Sequence, residues 1–580
     1  MVFYGRVRSG AARVFGALVG LAGGRGAGRA VNARPPDLRV ADIYLMGGTR
    51  GPMPHEFRPR ADLPAWQLTM PVDWKANPFK DKNWRFHLHA WRMIDPLIKS
   101  WYRTRQPDLL REAFIYPQDW WRRHKTSKPT GLSWSDMVSG IRSLKLAFFL
   151  ERRRLGDLRL TRRETSDLFE LVDAHARFNA REENIGMNNH GLLQAIGYRQ
   201  LCRQVPNRPA CRGAEARSAT YLRRLLQHQF TDEGIHREHS AGYHFYVTGL
   251  LADLRVAELF SDVGDVAEVA RRATANRPWL VFPNGEVARN GDAGDIYKGK
   301  PLESAAWTHT LDGRTFAISD FSRSGYAIVR TLGADDIERQ SMLIMVAMYH
   351  DSNHKQADDL SFELFERGQR ILIDSGRYDF EWHPMRHYVY SAAAHNTVDL
   401  ADAPIKTSDT DPYGSGLAQI EIDGEGFVLS GRVRRARRFD HARTLRYQPG
   451  RSLVIEDQLD SDQELTYASR LHFASNLTVE ASDDGYLVCR GDETLATLEP
   501  PADAAIRLVR GQEDPLLGWD TIARRHMAPA HVLEAILSGK KRRIIWRVAL
   551  LSALVGLLLV VACGDDPKCS AARQADRSAV

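Results

Sequence analysis

The sequence predicts a multidomain α+β fold in which an N-terminal (α/α) toroid precedes a C-terminal antiparallel β-sandwich. At 580 residues the chain is too long for one compact core. Between residues 86 and 275 apolar residues recur three and four positions apart, which is the period of amphipathic helices. After residue 310 the apolar segments are short, often alternate with polar residues and are separated by turns, as in a β-sandwich.

The chain begins with a basic segment, and residues 1–59 are assigned to a leader and N-terminal extension. Its only apolar run, Phe15–Leu21, is interrupted by glycine and makes a poor core for a secretory signal peptide. Residues 1–34 carry six arginines and no acid. We therefore expect an irregular basic leader at this end.

The net charge of +8 does not come from the middle of the chain. Besides the arginine-rich start, residues 540–543 contribute four positive charges and residues 544–580 one, which leaves −3 for residues 35–539. Hydrophobic residues make up 43% and charged residues 26%, an ordinary globular composition. The charge balance therefore gives no reason to expect a nucleic-acid partner, and alone it is no evidence for an anionic glycan.

Residues 60–310 are predicted to form the helical domain. Short loops containing Gly, Pro or Asn separate its helices. Successive antiparallel helices of this length suit a toroid, although a helical bundle has the same periodicity. The predicted helices are His87–Tyr102, Trp134–Arg153, Glu164–Ala180, Asn189–Arg203, Ala214–Gln229 and Ser240–Leu259.

The five cysteines show neither metal-ligand spacing nor a disulfide framework. Cys202 and Cys211 flank a proline-containing loop and could pair in an oxidising compartment. Two unlinked thiols are nevertheless the expectation.

Residues 311–530 are predicted to form the sandwich. Turn sequences such as Asp423-Gly424 and Asp484-Gly485 separate some of its strands. Many short strands without intervening helices favour a sandwich over a parallel α/β sheet. The predicted strands are Tyr326–Thr331, Met342–Met348, Leu360–Phe365, Ile371–Asp374, Ala418–Ile422, Phe427–Val433, Ser452–Glu456 and Leu465–Phe473.

Residues 531–580 are predicted to form a basic and hydrophobic tail with a candidate membrane segment at 544–563. Val548–Cys563 contains sixteen residues and no charge, and with Ile544–Trp546 it would be long enough to cross a bilayer. The order of basic residues, apolar run and Val-Val-Ala-Cys also resembles the signal of a bacterial lipoprotein, which belongs at a chain start. A fused or misread gene boundary is therefore the alternative to a real anchor.

Three stretches are dense in polar, reactive side chains. Asn188-Asn189-His190-Gly191 lies where a helix begins, Glu238–Tyr246 opens another helix, and the third stretch extends from His350 to His395. Each also has a plain structural interpretation. An asparagine can cap a helix, a tyrosine in an apolar helix can pack in the core, and a scattered set of His and Asp is a weak metal signal.

The sequences of these stretches and their order along the chain resemble those of the heparinase II/III family. In that family an α/α toroid precedes a β-sandwich, and the site lies between them. The resemblance covers roughly residues 60–530 and implies a lyase that cleaves a uronate-containing, anionic polysaccharide by β-elimination. The further motifs that carry it are Pro283-Asn284-Gly285, Asn290-Gly291-Asp292, His354 with Ala357-Asp358-Asp359-Leu360-Ser361-Phe362, Asp374-Ser375-Gly376 and Ala394-His395-Asn396-Thr397.

The resemblance also implies roles for individual residues. Tyr243 would be the catalytic tyrosine, Asn189 and His190 would face the substrate carboxylate, and His354 would be the histidine that the sandwich contributes. Further contacts with substrate are expected from Asn188, His244, Arg386 and Tyr388.

A structural zinc is the cofactor that the resemblance raises. Asp374 and His395 would be two of its three ligands in the family members that have one. The third is normally a histidine two residues after His354, where this sequence has Gln356. Because glutamine is a poor zinc ligand beside imidazole, zinc is only a secondary expectation, with His350 as the substitute ligand if the register shifts.

Elimination suits these residue types. Removal of the C5 proton of a 4-linked uronate moves charge into the adjacent carboxylate, so donors aimed at that carboxylate make the step possible. Asn189 supplies an amide donor, and His190 can donate or abstract a proton. Tyrosine, with an ordinary pKa of about 10, can protonate the departing O4. The base depends on the stereochemistry of the substrate.

Two other functions stay open. A glycoside hydrolase on the same toroid would need two opposed carboxylates, for which Asp292 and Asp358 are the candidates. A non-catalytic protein could bind glycans for polysaccharide assembly or export.

A bacterial, periplasmic or membrane-associated location is favoured on function.

Overall fold

The computed structural model of the chain describes residues 56–126, 131–252, 258–294, 297–333 and 336–551. Helices occupy the first part and antiparallel strands the second, which confirms the predicted order of domains. A short hairpin, β1 (Glu56–Phe57) and β2 (Trp66–Gln67), precedes the helices. The helices are α1 (Lys82–His89), α2 (Asp95–Thr104), α3 (Pro107–His124), α4 (Asp136–Arg154), α5 (Arg162–Asn179), α6 (Asn189–Gln204), α7 (Ala214–Gln229), α8 (Ala241–Ala252) and α9 (Gly264–Asn276).

The predicted helix His87–Tyr102 is in fact two helices. Trp91 between them has a left-handed φ of 55°, a conformation that interrupts a right-handed helix. The next helix, α2, restarts with Pro96 in its first turn, where proline costs no hydrogen bond. Helix α3 was not predicted from the apolar pattern.

Helices α4 and α6 approach each other unusually closely. A Cβ atom at Gly197 would lie 2.3 Å from the carbonyl oxygen of Gly140, and one at Gly140 would lie 2.6 Å from the backbone of Leu193. Only glycine tolerates such backbone contact. The contact holds the first turns of the two helices side by side, and these turns carry Asp136 and His190.

The strands of the second part form a six-stranded and a ten-stranded sheet with small accessory hairpins. The first sheet has the order β3-β4-β5-β6-β8-β9. The second has the order β12-β13-β14-β15-β24-β18-β17-β16, with β10 added to β15 and β19 to β24. The strands are β3 (Thr308–Leu311), β4 (Arg314–Ile318), β5 (Tyr326–Leu332), β6 (Met342–Val346), β7 (Met348–Tyr349), β8 (Ser361–Glu366), β9 (Gln369–Leu372), β10 (Val398–Leu400), β11 (Gly414–Ser415), β12 (Glu421–Asp423), β13 (Gly426–Arg435), β14 (Phe439–Gln448), β15 (Ser452–His472), β16 (Thr478–Ser482), β17 (Gly485–Arg490), β18 (Glu493–Glu499), β19 (Ala505–Arg510), β20 (Gln512–Glu513), β21 (Leu516–Leu517), β22 (Trp519–Ala523), β23 (His526–Pro529) and β24 (His531–Leu550). One short helix, α10 (Pro384–Tyr390), lies between β9 and β10.

Two strands predicted separately, Ser452–Glu456 and Leu465–Phe473, belong to the single long strand β15. It pairs with β24 along most of its length, and the register shifts between Asp460 and Leu465. The polar residues at this irregularity broke the apolar pattern in the sequence. A β-bulge interrupts a ladder without ending the strand.

The six-stranded sheet is buried on both faces. Val329, Leu343 and Met345 pack into the core shared with the larger sheet. The alternating residues, such as Ile328 and Ile344, pack against residues of the helical domain around Phe282. Because side chains alternate across a strand, this sheet joins the two domains through an apolar interface.

The predicted tail and its membrane segment are corrected in the described residues. Strand β24 continues the larger sheet to Leu550, and Ile544, Trp546 and Val548 are buried in the sandwich core. The apolar residues from 544 therefore alternate as one face of a strand. No helix among the described residues is long and apolar enough to cross a bilayer, and residues 552–563 lie outside them.

The cysteine expectation is also corrected. Cys202, near the end of α6, forms a disulfide with Cys211. The two lie nine residues apart around the proline-containing loop. The spacing alone had favoured two thiols.

Candidate active site

Residues of the three polar stretches meet between the helical domain and the sandwich, in a region called the cleft: His354 contacts Tyr243 and Glu238, and Glu238 lies beside the backbone of Asn189. Helix α6 contributes Asn189 and His190, and the loop after β7 contributes His354. Glu238 comes from the segment before α8, and Tyr243 from the first turn of α8. His354 has a left-handed φ of 54°, an uncommon conformation for a non-glycine residue, and such residues cluster at functional sites.

His354 is held between a carboxylate and an aromatic ring. Its Nδ1 hydrogen-bonds to Asp292 Oδ2 at 2.7 Å, and its ring stacks on Tyr243 with the centroids 3.6 Å apart. Burial would raise the pKa of Asp292, but the hydrogen bond from His354 and the charge of Arg377 hold it below its usual value. Asp292 thus stays charged and fixes the orientation of the imidazole.

Tyr243 is half-buried at the start of α8. Its pKa is raised well above the ordinary value, first by burial and then by the nearby charge of Asp292. Tyr243 is therefore a neutral phenol at physiological pH, so it can donate a proton.

His190 is oriented by a second carboxylate. Its Nδ1 lies 3.0 Å from Asp136 Oδ1 across the α4–α6 contact. Although burial raises the pKa of Asp136, the hydrogen bond and charge of His190 outweigh it and lower that pKa. Such an Asp–His pair leaves Nε2 of the imidazole for a ligand.

Asn189 is almost completely buried beside His190, and its side-chain oxygen has no hydrogen-bond partner among the described residues. Asn188 caps α6, since its side chain accepts a hydrogen bond from the backbone N–H of His190 at 3.0 Å. The capping interpretation therefore holds for Asn188.

Glu238 lies between the two halves of the cleft. Its side chain is 3% exposed, and Oε2 is 3.8 Å from His354 Nε2. Neither carboxylate oxygen makes a hydrogen bond of good geometry with another described residue. Burial raises the pKa of this carboxyl.

Two arginines bring positive charge to the cleft. Arg377 donates to the carbonyl oxygen of Asp292 at 3.2 Å. Arg386 donates to the hydroxyl of Tyr390 at 2.9 Å. Burial and the neighbouring Asp292 raise the pKa of Tyr390. Arg386 thus lies at the edge of the cluster, in a position compatible with its predicted contact with substrate.

The other two predicted substrate contacts do not reach the cleft. His244 is buried, with Nδ1 accepting from the backbone of His236 and Nε2 donating to the carbonyl oxygen of Ala273. Burial lowers its pKa to about 4. Tyr388 is buried in an apolar cluster with Leu517 and Val532. Both side chains are used for packing because they lie on the inner faces of their helices.

The three candidate zinc positions supply only two side chains of the kind that zinc prefers, Asp374 and His395. His395 Nδ1 hydrogen-bonds to Asp374 Oδ2 at 2.8 Å, and the other oxygen of Asp374 accepts from the backbone of Gly376. Gln356 contributes a neutral amide, and the neighbouring Lys355 ammonium pairs with Asp358 and Asp359. Among the described residues, no three His, Cys, Asp or Glu side chains are arranged to hold a metal ion. These residues fit zinc poorly.

The carboxylate pair of the hydrolase hypothesis is not formed. Asp292 is completely buried against His354, and Asp358 is buried in an ion pair with Lys355. Neither is a free carboxylate that faces an open cleft.

Sequence reasoning missed the supporting groups Asp136, Glu238, Arg377 and Tyr390. Glu238 opens one of the polar stretches, so its position was a signal that could have been used. Asp136 lies 54 residues before His190 and has no local motif. Only the packing of α4 on α6 reveals its role.

The comparisons with known proteins agree with this architecture. The family models described as heparinase II/III N-terminus and heparinase II/III-like, C-terminal match residues 39–269 and 313–546. No curated protein sequence matches the chain. Among solved structures, heparinase III is 14% identical with a TM-score of 0.69, and the alignment covers 90% of this chain and 87% of that one.

Heparan sulfate lyase HepC from Pedobacter heparinus is also similar, at 13% identity and a TM-score of 0.58, with 90% of this chain and 84% of that one covered. At such identities these structures show a shared fold. The family models match most of both domains, in the order that the structure has them. The chain therefore belongs to the heparinase II/III family.

Proposed function

We propose that the protein is a polysaccharide lyase that cleaves a uronate-containing glycan by β-elimination. The observation that carries the proposal is the stack of Tyr243 on His354, which Asp292 orients, in one cluster with Asn189 and His190. The proposal is supported because these residues would supply a neutral phenol, two oriented imidazoles and an amide donor, and Glu238 lies close both to His354 and to Asn189.

The reaction would proceed in two coupled parts. A base removes the proton on C5 of the uronate, and the electron pair forms the C4–C5 double bond. The bond between C4 and O4 breaks, and the departing oxygen takes a proton from Tyr243. With its pKa raised above the ordinary value, Tyr243 still carries its phenolic proton when substrate arrives, and it can give that proton only to a strongly basic group such as the departing oxygen.

The negative charge that develops on the carboxylate needs donors. Asn189 and His190 are proposed to bind it, and Arg377 and Arg386 add positive charge nearby. In a cleft shielded from water such donors act more strongly than in solution. His190 and His354 are the candidates for the base, because each has one ring nitrogen held by a carboxylate.

The names of the similar structures suggest the first substrate to test. One is a heparinase III and the other a heparan sulfate lyase. We therefore propose a glycosaminoglycan of the heparan sulfate type as the leading substrate class.

Ultraviolet absorbance tests the proposal. The C4–C5 double bond of an elimination product absorbs ultraviolet light, so incubation with heparan sulfate, or with another polysaccharide from a uronate panel, should give a rising signal. New reducing ends without this absorbance would indicate hydrolysis. Binding without any product would support the non-catalytic glycan-binding alternative.

A further inference from the structure

Glu238 is a buried acid whose role is not explained by the fold. Its two oxygens lack hydrogen bonds of good geometry, and its side chain is almost fully shielded from water. A buried carboxyl whose oxygens lack well-formed hydrogen bonds destabilises a protein, because the lost contact with water is not replaced. In a native structure, a group of this kind indicates a missing partner.

The missing partner belongs to the cleft. Glu238 lies 3.8 Å from Nε2 of His354 on one side. On the other side, the backbone N–H of Asn189 and the charge of His190 act on it. A ligand that contacts Asn189 and His190 would therefore meet Glu238 as well.

The charge of that ligand determines whether Glu238 is protonated when the ligand is bound. A uronate carboxylate bound beside Asn189 would be repelled by an ionised Glu238. Two carboxyls that share a site share one proton, because the second cannot ionise at low cost. With substrate bound, Glu238 must then be the protonated partner.

We propose that Glu238 is a further catalytic residue, which binds the uronate carboxylate as a neutral acid and donates a hydrogen bond to it beside Asn189. The inference rests on the proposed lyase function. The hydrogen bond would strengthen as the enolate forms, because the carboxylate oxygens then carry more charge. A neutral carboxylic acid can donate such a bond, whereas a carboxylate can only accept.

The surroundings support the neutral form. Burial is the largest influence on Glu238 and raises its pKa, and the charge of Asp351 raises it further, whereas His354, His190 and the backbone of Asn189 lower it. The net shift is upward. The titratable groups that face Glu238 are His190 from α6, Tyr243 and Tyr246 from α8, and Asp351 and His354 from the loop after β7.

The inference predicts a specific pH dependence. Because the neutral form acts, kcat/KM should be highest below the pKa of Glu238 and fall about tenfold per pH unit above it. Glu238→Gln keeps the shape and an N–H donor but cannot ionise. This variant should lose the alkaline decline and keep kcat/KM within about tenfold of the wild-type maximum.

A second variant removes the donor. Glu238→Leu should lower kcat/KM for heparan sulfate by about 10²–10³-fold, the usual effect of losing one donor to a developing oxyanion. Its melting temperature should stay the same or rise, because no well-formed hydrogen bond is lost. A structural carboxyl would give the reverse, with stability lost and turnover per folded molecule kept.

Glu366→Gln is the matched control. Glu366 is also a buried carboxyl with a raised pKa, but it lies in the sandwich and accepts hydrogen bonds from Ser341 and Tyr447. Glu366→Gln should leave the pH dependence of kcat/KM unchanged, including its alkaline decline.

Three results would overturn the inference. They are an alkaline decline that persists in Glu238→Gln, wild-type kcat/KM in Glu238→Leu, and a stable Glu238→Gln that is as inactive as Glu238→Leu. The last would mean that the ionised form acts. Calorimetry that measures the binding of a heparan sulfate oligosaccharide tests the role of Glu238 separately from the lyase proposal. Binding that weakens at alkaline pH only when Glu238 is present, without any ultraviolet-absorbing product, would refute the lyase function and its catalytic part, and would leave Glu238 as a neutral donor that binds the carboxylate.

Discussion

The residues of the cleft fall into two groups according to their hydrogen bonds. The first group contains Oδ1 of Asp136 and Oδ2 of Asp292, each of which binds a histidine and so fixes the orientation of its ring. The second group contains both oxygens of Glu238, Oδ1 of Asp292 and the side-chain oxygen of Asn189, which make no hydrogen bond of good geometry with another described residue. The first group makes the site rigid, and the second leaves polar atoms for a ligand to satisfy.

The hydroxyl of Tyr243 gives the most direct test of the mechanism. Tyr243→Phe keeps the ring stacked on His354 and deletes the proton that the acid would give. Turnover should fall by about 10²–10⁴-fold, which is the usual contribution of general acid catalysis. The melting temperature should hardly move, since one hydroxyl contributes about 1 kcal/mol.

Tyr246→Phe is the control for that change. Tyr246 lies one turn further along the same helix and packs against the core of the helical domain. The Tyr246→Phe variant should therefore keep wild-type turnover. Near-normal turnover in Tyr243→Phe would remove this tyrosine from the mechanism and leave His190 and His354 as the groups to test.

Gln356 stands where the family normally has a zinc-binding histidine, and this difference predicts a low zinc content. Metal analysis of the purified protein should find clearly less than one zinc per chain, and a chelator should leave the melting temperature unchanged. Gln356→His, which restores an imidazole beside Asp374 and His395, should increase the zinc content. Stoichiometric zinc that survives dialysis of the wild type would show that another residue, such as His350, completes the site.

At the level of elements, one backbone arrangement positions the site and another completes the sandwich. The glycine contact between α4 and α6 brings Asp136 to His190. Strand β24 closes the larger sheet between β15 and β18. Its apolar residues at 544–550 therefore belong to the sandwich core.

The alternation of β24 predicts a large effect on stability for one residue and almost none for its neighbour. Trp546 is fully buried and donates to Ser469 Oγ at 3.0 Å, so Trp546→Ala should lower the free energy of unfolding by about 3–5 kcal/mol. Its neighbour Arg547 faces solvent, and Arg547→Ala should change stability by less than about 0.5 kcal/mol. Denaturant unfolding measures both. A stable Trp546→Ala would contradict the assignment of this segment to the core.

At the level of the whole molecule, the two domains are joined by an apolar interface and by ion pairs. The apolar part surrounds Phe282 and one face of the six-stranded sheet. The ionic part is centred on Arg525 of the sandwich, which binds Asp81 of the helical domain at 2.8 Å and also Asp379. These contacts hold fixed the cleft that lies between the domains.

Arg525 should therefore matter more than an exposed arginine. Arg525→Met keeps much of the side-chain stem but leaves the buried Asp81 and Asp379 with one fewer cation. We expect it to lower the free energy of unfolding by about 1–3 kcal/mol. Arg437→Met removes a solvent-exposed pair with Asp411 and should have no measurable effect. Equal stabilities of the two variants in chemical denaturation would argue against the ionic interface.

Much of the fold was predictable because hydrophobic periodicity is a local property. Helices such as Ala214–Gln229 were predicted to the residue, and the strands around Met342 and Tyr326 within one or two residues. The prediction was wrong where a local pattern has two meanings. The apolar run from residue 544 suits a membrane helix or a core strand, and only its pairing with β15 distinguishes them.

The sequence by itself determined the order of helical and β domains, the family resemblance and the positions of Asn189, His190, Tyr243 and His354 along the chain. Tertiary structure decided which of the polar residues meet. It brought Asp136, Asp292 and Glu238 to the histidines, and it buried His244 and Tyr388 away from the cleft. The physical reason is that periodicity and capping act over a few residues, whereas a carboxylate and an imidazole separated by 54–116 positions meet only through the packing of whole helices and sheets.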